Sequence, residues 1–302
     1  MLRPRFTLVR ELGHGGEGRV VAVQDAARAG AIVALKETHG PYGQALAREF
    51  ELLATLRHRH LAEVYEYFPT SPLGGARAAY TQMLVSGVDL YRTLRAEPGL
   101  ADALVGQLLL ALAQLHAAGL VHLDLKPDNV LVEPGPRARL VDFGIAARIG
   151  SRLQSVRGSR SYVAPEILAG DPVAPSADLF ALGIAFAEIG LGDPAAARGL
   201  AALPLPERQT RLAAVLAAPL AHLTAALIAL DPGEADALSV MAGLLANVPD
   251  TRTARSRARA GPRRARPAPR SRPHRRREAA RTGAAKPPAP APPAMRAGSH
   301  SS

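Results

Sequence analysis

Two short polar segments carry residue types whose spacing fits phosphoryl-transfer chemistry. They read His122-Leu123-Asp124-Leu125-Lys126-Pro127-Asp128-Asn129 and Asp142-Phe143-Gly144. Asp124 is a potential base and Lys126 a cation, while Asn129 offers an oxygen ligand to a metal ion. Asp142 offers a second such ligand. Because divalent ions and a triphosphate put large opposite charges in one cleft, this set suits transfer of a phosphoryl group from a metal-bound nucleotide to a hydroxyl.

A glycine-rich segment near the start of the chain fits the pattern G-x-G-x-x-G-x-V. Its pattern positions are Gly13, Gly15, Gly18 and Val20. Glycine lets the backbone turn tightly over phosphates, because a Cβ would block both the turn and the close approach. An ordinary hairpin turn fits the same letters. The flanks favour the phosphate loop, since residues 6–12 and 19–24 both have the pattern of strands that would pair across it.

The next apolar run, Ala31-Ile32-Val33-Ala34-Leu35, predicts a third strand and ends at Lys36. A Lys in this position is usually a solvated strand end, but the glycine-rich loop upstream favours a phosphate-binding role. Residues 42–56 then have helical spacing, with apolar residues at Leu46, Phe50, Leu53 and Leu56. Two acids, Glu49 and Glu51, lie on this predicted helix and are candidates for the anionic partner that Lys36 needs.

Together these segments resemble the eukaryotic-like (Hanks-type) serine/threonine protein kinases of bacteria. The resemblance implies that Lys36 holds the α- and β-phosphates of ATP, with Ala34 also in the nucleotide site. Glu49 lies nine residues before His58, the spacing at which these kinases place the glutamate that pairs with the lysine. Glu51 is then a surface charge.

The same resemblance implies roles for the two polar segments. Asp124 orients the substrate hydroxyl and takes its proton, and Lys126 neutralises charge on the phosphoryl group in transfer. Asn129 and Asp142 hold the metal ion, so the implied cofactors are ATP with Mg²⁺ or Mn²⁺. The Lys126-Pro127 pair is the pattern of kinases that act on Ser and Thr, whereas tyrosine kinases usually carry Ala and Arg there.

Two later segments extend the resemblance. Residues 158–166 read GSRSYVAPE, which resembles the end of an activation segment. Asp178, with Gly183 five residues on, resembles the start of the central helix of the C-lobe. In the family this Asp binds the backbone of the catalytic loop; an acid at a helix start is also favoured by the helix dipole.

Several positions depart from the family pattern. Leu123 stands where many kinases have the Arg that pairs with a phosphorylated activation segment, so control by such a phosphate is less expected. Residues that could still form such pairs are Ser151, Ser155, Ser159 and Ser161 with Arg148, Arg152, Arg157 and Arg160. Ala235 replaces the Arg that usually pairs with Glu166, so either another cation substitutes or Glu166 faces water. Residues 190–211 are short and Ala-rich, which leaves the usual substrate-side helix unplaced.

Alignment to the kinase pattern around residues 87–90 predicts the hinge between the lobes. It puts Gln82 at the gatekeeper position and puts Met83 and Leu84 at the backbone that contacts adenine. It also puts Asp89 near the ribose. These positions rest on the alignment alone.

Composition divides the chain at about residue 249. Residues 1–249 carry 22 Lys and Arg against 24 Asp and Glu, whereas residues 250–302 carry 15 against 2. The net charge of +11 therefore comes from the tail. The tail consists mainly of Arg, Pro, Ala and Ser without aromatic residues, so it cannot bury enough apolar surface to fold and is predicted to be disordered.

Three interpretations of the tail stay open. It is a solvated segment without a partner, a proline-type ligand for a recognition domain, or an electrostatic arm for an anionic partner. That partner would be an acidic protein, a nucleic acid or a membrane surface. Without aromatic side chains the tail cannot stack on bases, so such contacts would be nonspecific and sensitive to salt.

The first 249 residues are long enough for two lobes with their own cores. The predicted fold is α+β and protein-kinase-like, with a β-rich N-lobe containing one helix over about 1–84 and a mainly helical C-lobe over about 85–249. A C-lobe helix is predicted over residues 100–118 from Leu104, Leu108, Leu112 and Leu115, with Gly119 as its left-handed cap. Short strands at 130–132 and 139–141 would bracket the two polar segments.

Indirect features indicate the compartment. The chain has no Cys, which excludes a disulfide framework, and its N-terminus lacks the apolar core of a signal peptide. The uncharged stretch 212–230 has the length of a membrane span, but its position before Asp231-Pro232 matches a buried C-lobe helix. A cytoplasmic protein without a transmembrane segment is therefore expected.

The predicted function is an ATP- and Mg²⁺-dependent serine/threonine protein kinase that also phosphorylates itself. Its protein substrates are not indicated by any motif. Two alternatives stay open: a pseudokinase scaffold that binds nucleotide without catalysis, and a small-molecule phosphotransferase of the aminoglycoside or choline type. The complete set of catalytic residues argues against the first, and the A-P-E sequence argues against the second.

Overall fold

Five antiparallel strands in the order β1-β2-β3-β5-β4 form the sheet of the N-lobe. They are β1 (Phe6–Gly15), β2 (Gly18–Asp25), β3 (Ala31–Thr38), β4 (Val64–Phe68) and β5 (Ala78–Gln82). Helix α1 (Gly43–Leu53) follows β3 and packs on β4 and β5. The structure, a computed structural model, describes residues 4–15, 18–38, 42–74 and 78–229. The predicted β-rich lobe with one helix is confirmed.

The two faces of β3 separate the sheet core from the candidate site. Val33 and Leu35 are buried in the apolar cluster on one face. Because side chains alternate along a strand, Ala34 and Lys36 project from the opposite face, where α1 packs. Burial of the apolar residues Val33 and Leu35 on one face of β3 therefore fixes the direction in which Lys36 projects.

The second lobe is mainly helical. Its helices are α2 (Leu90–Ala96), α3 (Ala101–Ala117), α4 (Pro165–Ala169), α5 (Ser176–Leu191), α6 (Pro194–Gly199), α7 (Leu205–Ala213) and α8 (Ala218–Ala229). One small sheet contains β6 (Val88–Asp89), β8 (Val130–Glu133) and β9 (Arg137–Leu140), and a second pairs β7 (Leu120–Val121) with β10 (Ala147–Arg148). The predicted two-lobed α+β fold is confirmed.

Helix α3 is the central support of the C-lobe core. Its four predicted core positions, Leu104, Leu108, Leu112 and Leu115, are fully buried. The chain leaves the helix through Gly119 at φ 76°, a left-handed conformation that glycine adopts without steric cost. By length and composition alone Pro98–Ala117 could cross a membrane, and 56% of its most apolar window is buried. The core helix of a soluble fold passes the same test, so this match is weak evidence for a span.

The uncharged stretch 212–230 contains two helical segments in the described residues. Helix α7 ends at Ala213 and α8 begins at Ala218, and α8 packs against both α5 and α7. A Cβ on Gly183 of α5 would lie 2.7 Å from Cγ1 of Ile228, so glycine permits this close helix contact. The segment 231–235 and the tail from 250 to 302 lie outside the described residues.

Arg208 stabilises the region of residues 190–211, where the sequence did not allow a helix to be placed. This side chain is buried, and its guanidinium donates hydrogen bonds to four backbone carbonyls. The acceptors are the carbonyl oxygens of Leu200, Ala201, Leu203 and Ala225. Burial lowers the pKa of Arg208, but the side chain stays charged because its ordinary pKa is far above neutral. Arg208 thereby ties α7 to α8 and to the 3₁₀ turn that precedes α7.

His60 connects the loop after α1 with strand β9. Its Nδ1 lies 2.9 Å from the carbonyl of Ala138, and Arg59 Nε donates to its Nε2 at 3.0 Å. These contacts require a neutral ring with the proton on Nδ1. Burial, with the nearby charges of Arg59 and Arg139 and the His58 ring, lowers the pKa of His60 from its ordinary 6.5 to about 4. The folded protein therefore binds a proton here more weakly than the unfolded chain.

This shift predicts a loss of stability in mild acid. Between the unfolded pKa of 6.5 and the folded pKa of about 4, the unfolded chain binds the extra proton, so stability falls as the pH falls. His60→Gln keeps a donor for Ala138 and does not titrate, so its stability should depend less on pH in this window. Urea unfolding at about pH 7.5 and pH 5 should show wild type losing roughly 1–2 kcal/mol more than the variant. Equal losses in both proteins would contradict the assignment.

Candidate active site

One row of residues crosses the N-lobe sheet, and three of its members, Gly13, Val20 and Lys36, are nucleotide-binding candidates. From β1 to β4 its members are Gly13, Val20, Lys36, Tyr80 and Tyr67, each directly opposite the next. Residues that face each other across antiparallel strands project from the same side of the sheet. Strand pairing therefore places Lys36 between the start of the glycine-rich loop and β5.

The glycine-rich loop closes tightly against β3. A Cβ on Gly18 would lie 1.9 Å from the carbonyl oxygen of Glu37, so only glycine fits there. Gly15 ends β1 opposite Gly18, which begins β2. The loop tip, residues 16 and 17, lies outside the described residues. Beside the loop, Ala34 is buried on β3 opposite Gln82 of β5.

The Lys36 ammonium lies between two carboxylates. Its Nζ is 2.8 and 3.1 Å from the two oxygens of Glu49 and 2.8 Å from Oδ1 of Asp142. Burial alone would lower the pKa of Lys36, but the two negative charges outweigh burial and hold that pKa well above its usual value. Glu49 is buried, whereas the Asp142 side chain is 51% exposed in the cleft. The cation is thus anchored by α1 and directed toward the open site.

Asp142 stays ionised in this surrounding. Burial would raise its pKa, but the Lys36 ammonium outweighs that effect and lowers the pKa below its ordinary 3.8. Its neighbour Phe143 is buried and packs at 4.7 Å against the ring of His122. An ionised carboxylate that is half exposed in a cleft is a suitable ligand for a divalent cation.

The catalytic-loop candidates form one hydrogen-bonded unit around Asp124. Lys126 Nζ donates to Oδ2 of Asp124 at 3.0 Å, and Asn129 Nδ2 donates to the same oxygen at 2.9 Å. Asn129 also donates to the Asp124 carbonyl at 2.8 Å, which fixes the side-chain amide. Because that amide nitrogen is committed to Asp124, the amide oxygen of Asn129 is the atom that can hold a metal ion.

Two site residues have left-handed backbone conformations. Leu123 has φ 67° and Asp142 has φ 61°; among the described non-glycine residues only Ala29 shares this feature. Such conformations cost about 1–3 kcal/mol each and persist where surrounding contacts fix them. They lie directly before Asp124 and at the start of Asp142-Phe143-Gly144, where the chain turns both carboxylates toward the cleft.

Asp178 holds the backbone ahead of Asp124. Its Oδ1 accepts from the Leu123 N–H and its Oδ2 from the His122 N–H, both at 2.9 Å. Oδ2 also lies 2.8 Å from Nε2 of His116 on α3. Asp178 is fully buried; burial raises its pKa, but these hydrogen bonds outweigh burial and leave the pKa below 3.8. The carboxylate is therefore a structural support of the catalytic loop, as the family resemblance implied.

Ser159 and Gly158 join the site although they were not among its predicted members. Lys126 Nζ lies 3.3 Å from the Ser159 hydroxyl, and the Ser159 N–H donates to Oδ1 of Asp124 at 3.4 Å. A Cβ on Gly158 would lie 3.1 Å from the same oxygen, and its φ is 92°. The sequence indicated Ser159 only as a phosphorylation site. The offset to A-P-E could have indicated its proximity to the catalytic loop.

The four hinge candidates, Gln82, Met83, Leu84 and Asp89, differ in their local structure and hydrogen bonds. Gln82 is the buried last residue of β5, and the Met83 N–H donates to the carbonyl of Glu63 at 2.7 Å. That bond leaves the Met83 carbonyl, and not its N–H, for a nucleotide base. Leu84 follows without regular structure. Asp89 caps α2 by accepting from the Arg92 N–H at 2.8 Å, so it has a structural role whether or not it reaches a ribose.

Glu166 is buried and does not face water. Its Oε1 accepts from the Ser176 hydroxyl at 2.9 Å. Arg198 supplies a positive charge in the same region: burial lowers the pKa of Arg198, and the charge of Glu166 opposes that shift. Arg198 also donates to the carbonyl of Val163, just before A-P-E. A substitute cation on α6 thus fits the geometry, and Ala235 lies outside the described residues.

The donor set fits Mg²⁺ bound together with a triphosphate. Among the described residues no group of three or more His, Cys, Asp and Glu forms a protein-only metal cage. Asn129 and Asp142 would offer two hard oxygen ligands, and Mg²⁺ usually takes one or two protein ligands beside phosphate and water. Lys36 contributes a positive charge beside Asp142, which also suits a triphosphate.

Comparisons with known proteins find a matching family model and several relatives. The family model of the protein kinase domain matches residues 6–259. Serine/threonine-protein kinase PknA of Mycobacterium tuberculosis is 33% identical over 198 residues, covering 61% of this chain and 46% of that protein. Serine/threonine-protein kinase pkn2 of Myxococcus xanthus is 32% identical over 203 residues, covering 61% and 24%. Mitogen-activated protein kinase 12 of Danio rerio is 31% identical over 200 residues, covering 63% and 55%.

The alignments cover only part of each relative's length. The chain spans less than half the length of the two bacterial kinases. The similarity therefore concerns the catalytic domain.

Proposed function

Because the chain belongs to the protein kinase family, we propose that it is an ATP- and Mg²⁺-dependent protein serine/threonine kinase that also phosphorylates itself. The observation that carries the proposal is the meeting of two residue groups in one cleft. Lys36 contacts both Glu49 and Asp142, and Asp124 is bonded to Lys126 and Asn129. A phosphoryl donor and a hydroxyl acceptor need these two groups on either side of the reacting phosphorus.

The protein's share of the reaction is positioning and charge stabilisation. Asp124 holds the substrate hydroxyl and accepts its proton as the oxygen attacks the γ-phosphorus. The new bond joins the hydroxyl oxygen to phosphorus, and the bond between phosphorus and the β,γ-bridging oxygen breaks, so ADP leaves with that electron pair. Lys126 stabilises charge on the transferring group, while Lys36 holds the remaining phosphates. When bound by Asn129 and Asp142, Mg²⁺ neutralises phosphate charge.

Specific contacts support chemistry over a scaffold role. A pseudokinase would not need Asp124, Lys126 and Asn129 to form one bonded unit, or the Asp142 side chain to stay half exposed. A protein substrate is favoured over a small molecule because the segment ending in A-P-E lies against Asp124 through Ser159. This segment is where a peptide acceptor would lie beside the catalytic loop.

Transfer of radiolabelled phosphate from ATP tests the proposal. Purified full-length chain is incubated with ATP and Mg²⁺ or Mn²⁺, alone and with a generic basic protein, and labelled residues are mapped. Label on Ser or Thr of either protein supports the kinase. ATP binding in a thermal-shift assay without any label would support the scaffold, and label on an aminoglycoside or choline alone would support the small-molecule enzyme.

We further propose that the basic tail is separable from catalysis and acts as an electrostatic arm for an anionic partner. A chain without residues 250–302 should transfer phosphate to a generic peptide within about twofold of the full chain. It should lose salt-sensitive binding to vesicles with anionic lipids, because the net positive charge belongs to the tail. Loss of peptide phosphorylation would mean that the tail belongs to the catalytic unit.

A further inference from the structure

The ion pair between Lys36 and Glu49 contains a third member on β5. The Tyr80 hydroxyl donates to Oε1 of Glu49 at 2.8 Å, and the same oxygen accepts from Lys36 Nζ at 2.8 Å. Tyr80 has no exposed surface and Glu49 is only 6% exposed. A buried carboxylate oxygen therefore receives one charged donor from the partly exposed Lys36 and one neutral donor from Tyr80, which is excluded from water.

The sheet and α1 place this phenol. Tyr80 lies directly opposite Lys36 on the neighbouring strand, so both side chains project toward α1. The helix covers them with two consecutive residues, Glu49 and Phe50. The Phe50 ring packs at 5.9 Å from the Tyr80 ring and at 5.7 Å from the Tyr67 ring. The aromatic contacts fix the ring of Tyr80, and the ring carries the hydroxyl to Glu49.

The hydroxyl is a permanent donor at this position. Burial, reinforced by the charge of Glu49, raises the pKa of Tyr80 well above its usual value, so the phenol stays protonated. A phenol can donate only one hydrogen bond, and here it goes to the carboxylate. Removing it would leave a buried oxygen of Glu49 short of one donor, which weakens the fixed orientation of the carboxylate.

Competition between two carboxylates gives this contact a functional consequence. Lys36 is shared by Glu49 and Asp142 at equal distances of 2.8 Å. If Glu49 were less firmly held, the ammonium would pair more closely with Asp142. The proposed metal ligand would then be partly neutralised, and the cation would leave the place where it meets phosphate.

We propose that Tyr80 is a positioning residue that holds Glu49 against Lys36 and thereby keeps Asp142 free to bind the metal ion. This inference rests on the proposed function, since it assigns Lys36 to phosphate and Asp142 to metal. It goes beyond the motif residues, because no kinase pattern in the sequence singled out Tyr80. The residue acts through Glu49 and does not touch the reacting atoms.

The test compares Tyr80→Phe with Tyr67→Phe in the full-length chain. Both changes delete one hydroxyl from rings that pack on Phe50, but only Tyr80 bonds Glu49. Tyr80→Phe should raise the KM for ATP and the Mg²⁺ concentration for half-maximal rate by about tenfold each, while kcat changes by less than about threefold. Tyr67→Phe should leave all three values within about twofold of wild type.

A second measurement separates this inference from the proposed function. Amide hydrogen exchange of α1 needs no catalysis, and it should be faster in Tyr80→Phe than in wild type or Tyr67→Phe. If wild type is active and Tyr80→Phe has the same KM and Mg²⁺ dependence as wild type, the positioning role of Tyr80 is overturned and the proposed function stands. If wild type transfers no phosphate, the proposed function fails, and unchanged exchange in α1 would then overturn the positioning role as well. Equal effects of both variants would show a general packing effect and would also overturn it.

Discussion

Replacing Asp142 by Asn is expected to abolish phosphoryl transfer while leaving the fold intact. Asn has the same shape and can still accept a hydrogen bond from Lys36, but it lacks the negative charge that a divalent ion requires of this ligand. The side chain is half exposed, so the exchange adds no buried unsatisfied group. Transfer of radiolabelled phosphate should fall by about a thousandfold or more, as is typical for losing a group that stabilises transition-state charge.

Asp128→Asn is the matched control for this experiment. Asp128 is exposed on the 3₁₀ turn that leads into β8 and lies in the same polar segment as Asp124. It should retain a rate within about twofold of wild type, and both variants should unfold in urea at nearly the wild-type midpoint. Transfer at the wild-type rate by Asp142→Asn would contradict the assignment of Asp142 as a metal ligand.

Replacing Asp178 by Ala is expected to cost the largest amount of stability among single changes near the site. The substitution removes a fully buried carboxylate and leaves the N–H groups of His122 and Leu123 without their acceptor. His116 would also lose its partner. Removing one member of a buried ionic or hydrogen-bonded set typically costs about 3–5 kcal/mol, and urea unfolding should show a loss of this size.

The same change should also reduce activity in the fraction that remains folded. Leu123 has a left-handed φ that the Asp178 carboxylate helps to maintain, and Asp124 follows directly. Asp178→Asn keeps one acceptor oxygen and should lose about half as much stability as Asp178→Ala.

Asp193→Ala is the matched control, because Asp193 is an exposed cap that accepts from the Ala195 N–H at 2.8 Å. It should cost only about 1 kcal/mol. Equal losses for Asp178→Ala and Asp193→Ala would contradict a special role of Asp178.

The helices and strands could be predicted because each of their sequence signals is local. The apolar run before Lys36 defines a strand, and the leucines at helical spacing define α3. Motifs shared with a known family then supply the long-range contacts that periodicity cannot. In the structure Lys36 contacts Glu49 as that resemblance implied, and it also contacts Asp142, a pair that was not predicted.

Other features depend on three-dimensional relations that leave no local pattern. The contact between Tyr80 and Glu49 requires a particular pairing of β3 with β5 and a particular rotation of α1. Arg208 binds backbone carbonyls, which every residue has, so no partner residue could be recognised in the sequence. The Ala-rich composition around it concealed α6, because alanine fits helices and loops without marking a buried face.

The row of residues that runs from Gly13 through Val20 and Lys36 to Tyr80 makes the site sensitive to chain length within strands. An insertion of one residue in β2, β3 or β5 would shift the pairing register and turn the following side chains to the opposite face. An insertion in β3 just before Lys36 would make that side chain project toward the apolar cluster of Val33 and Leu35, away from Glu49. The connection between β2 and β3 at Ala29 and Gly30, both with positive φ, has no such constraint. Changes in length are therefore compatible with function at that turn, whereas the strands themselves must keep their residue count.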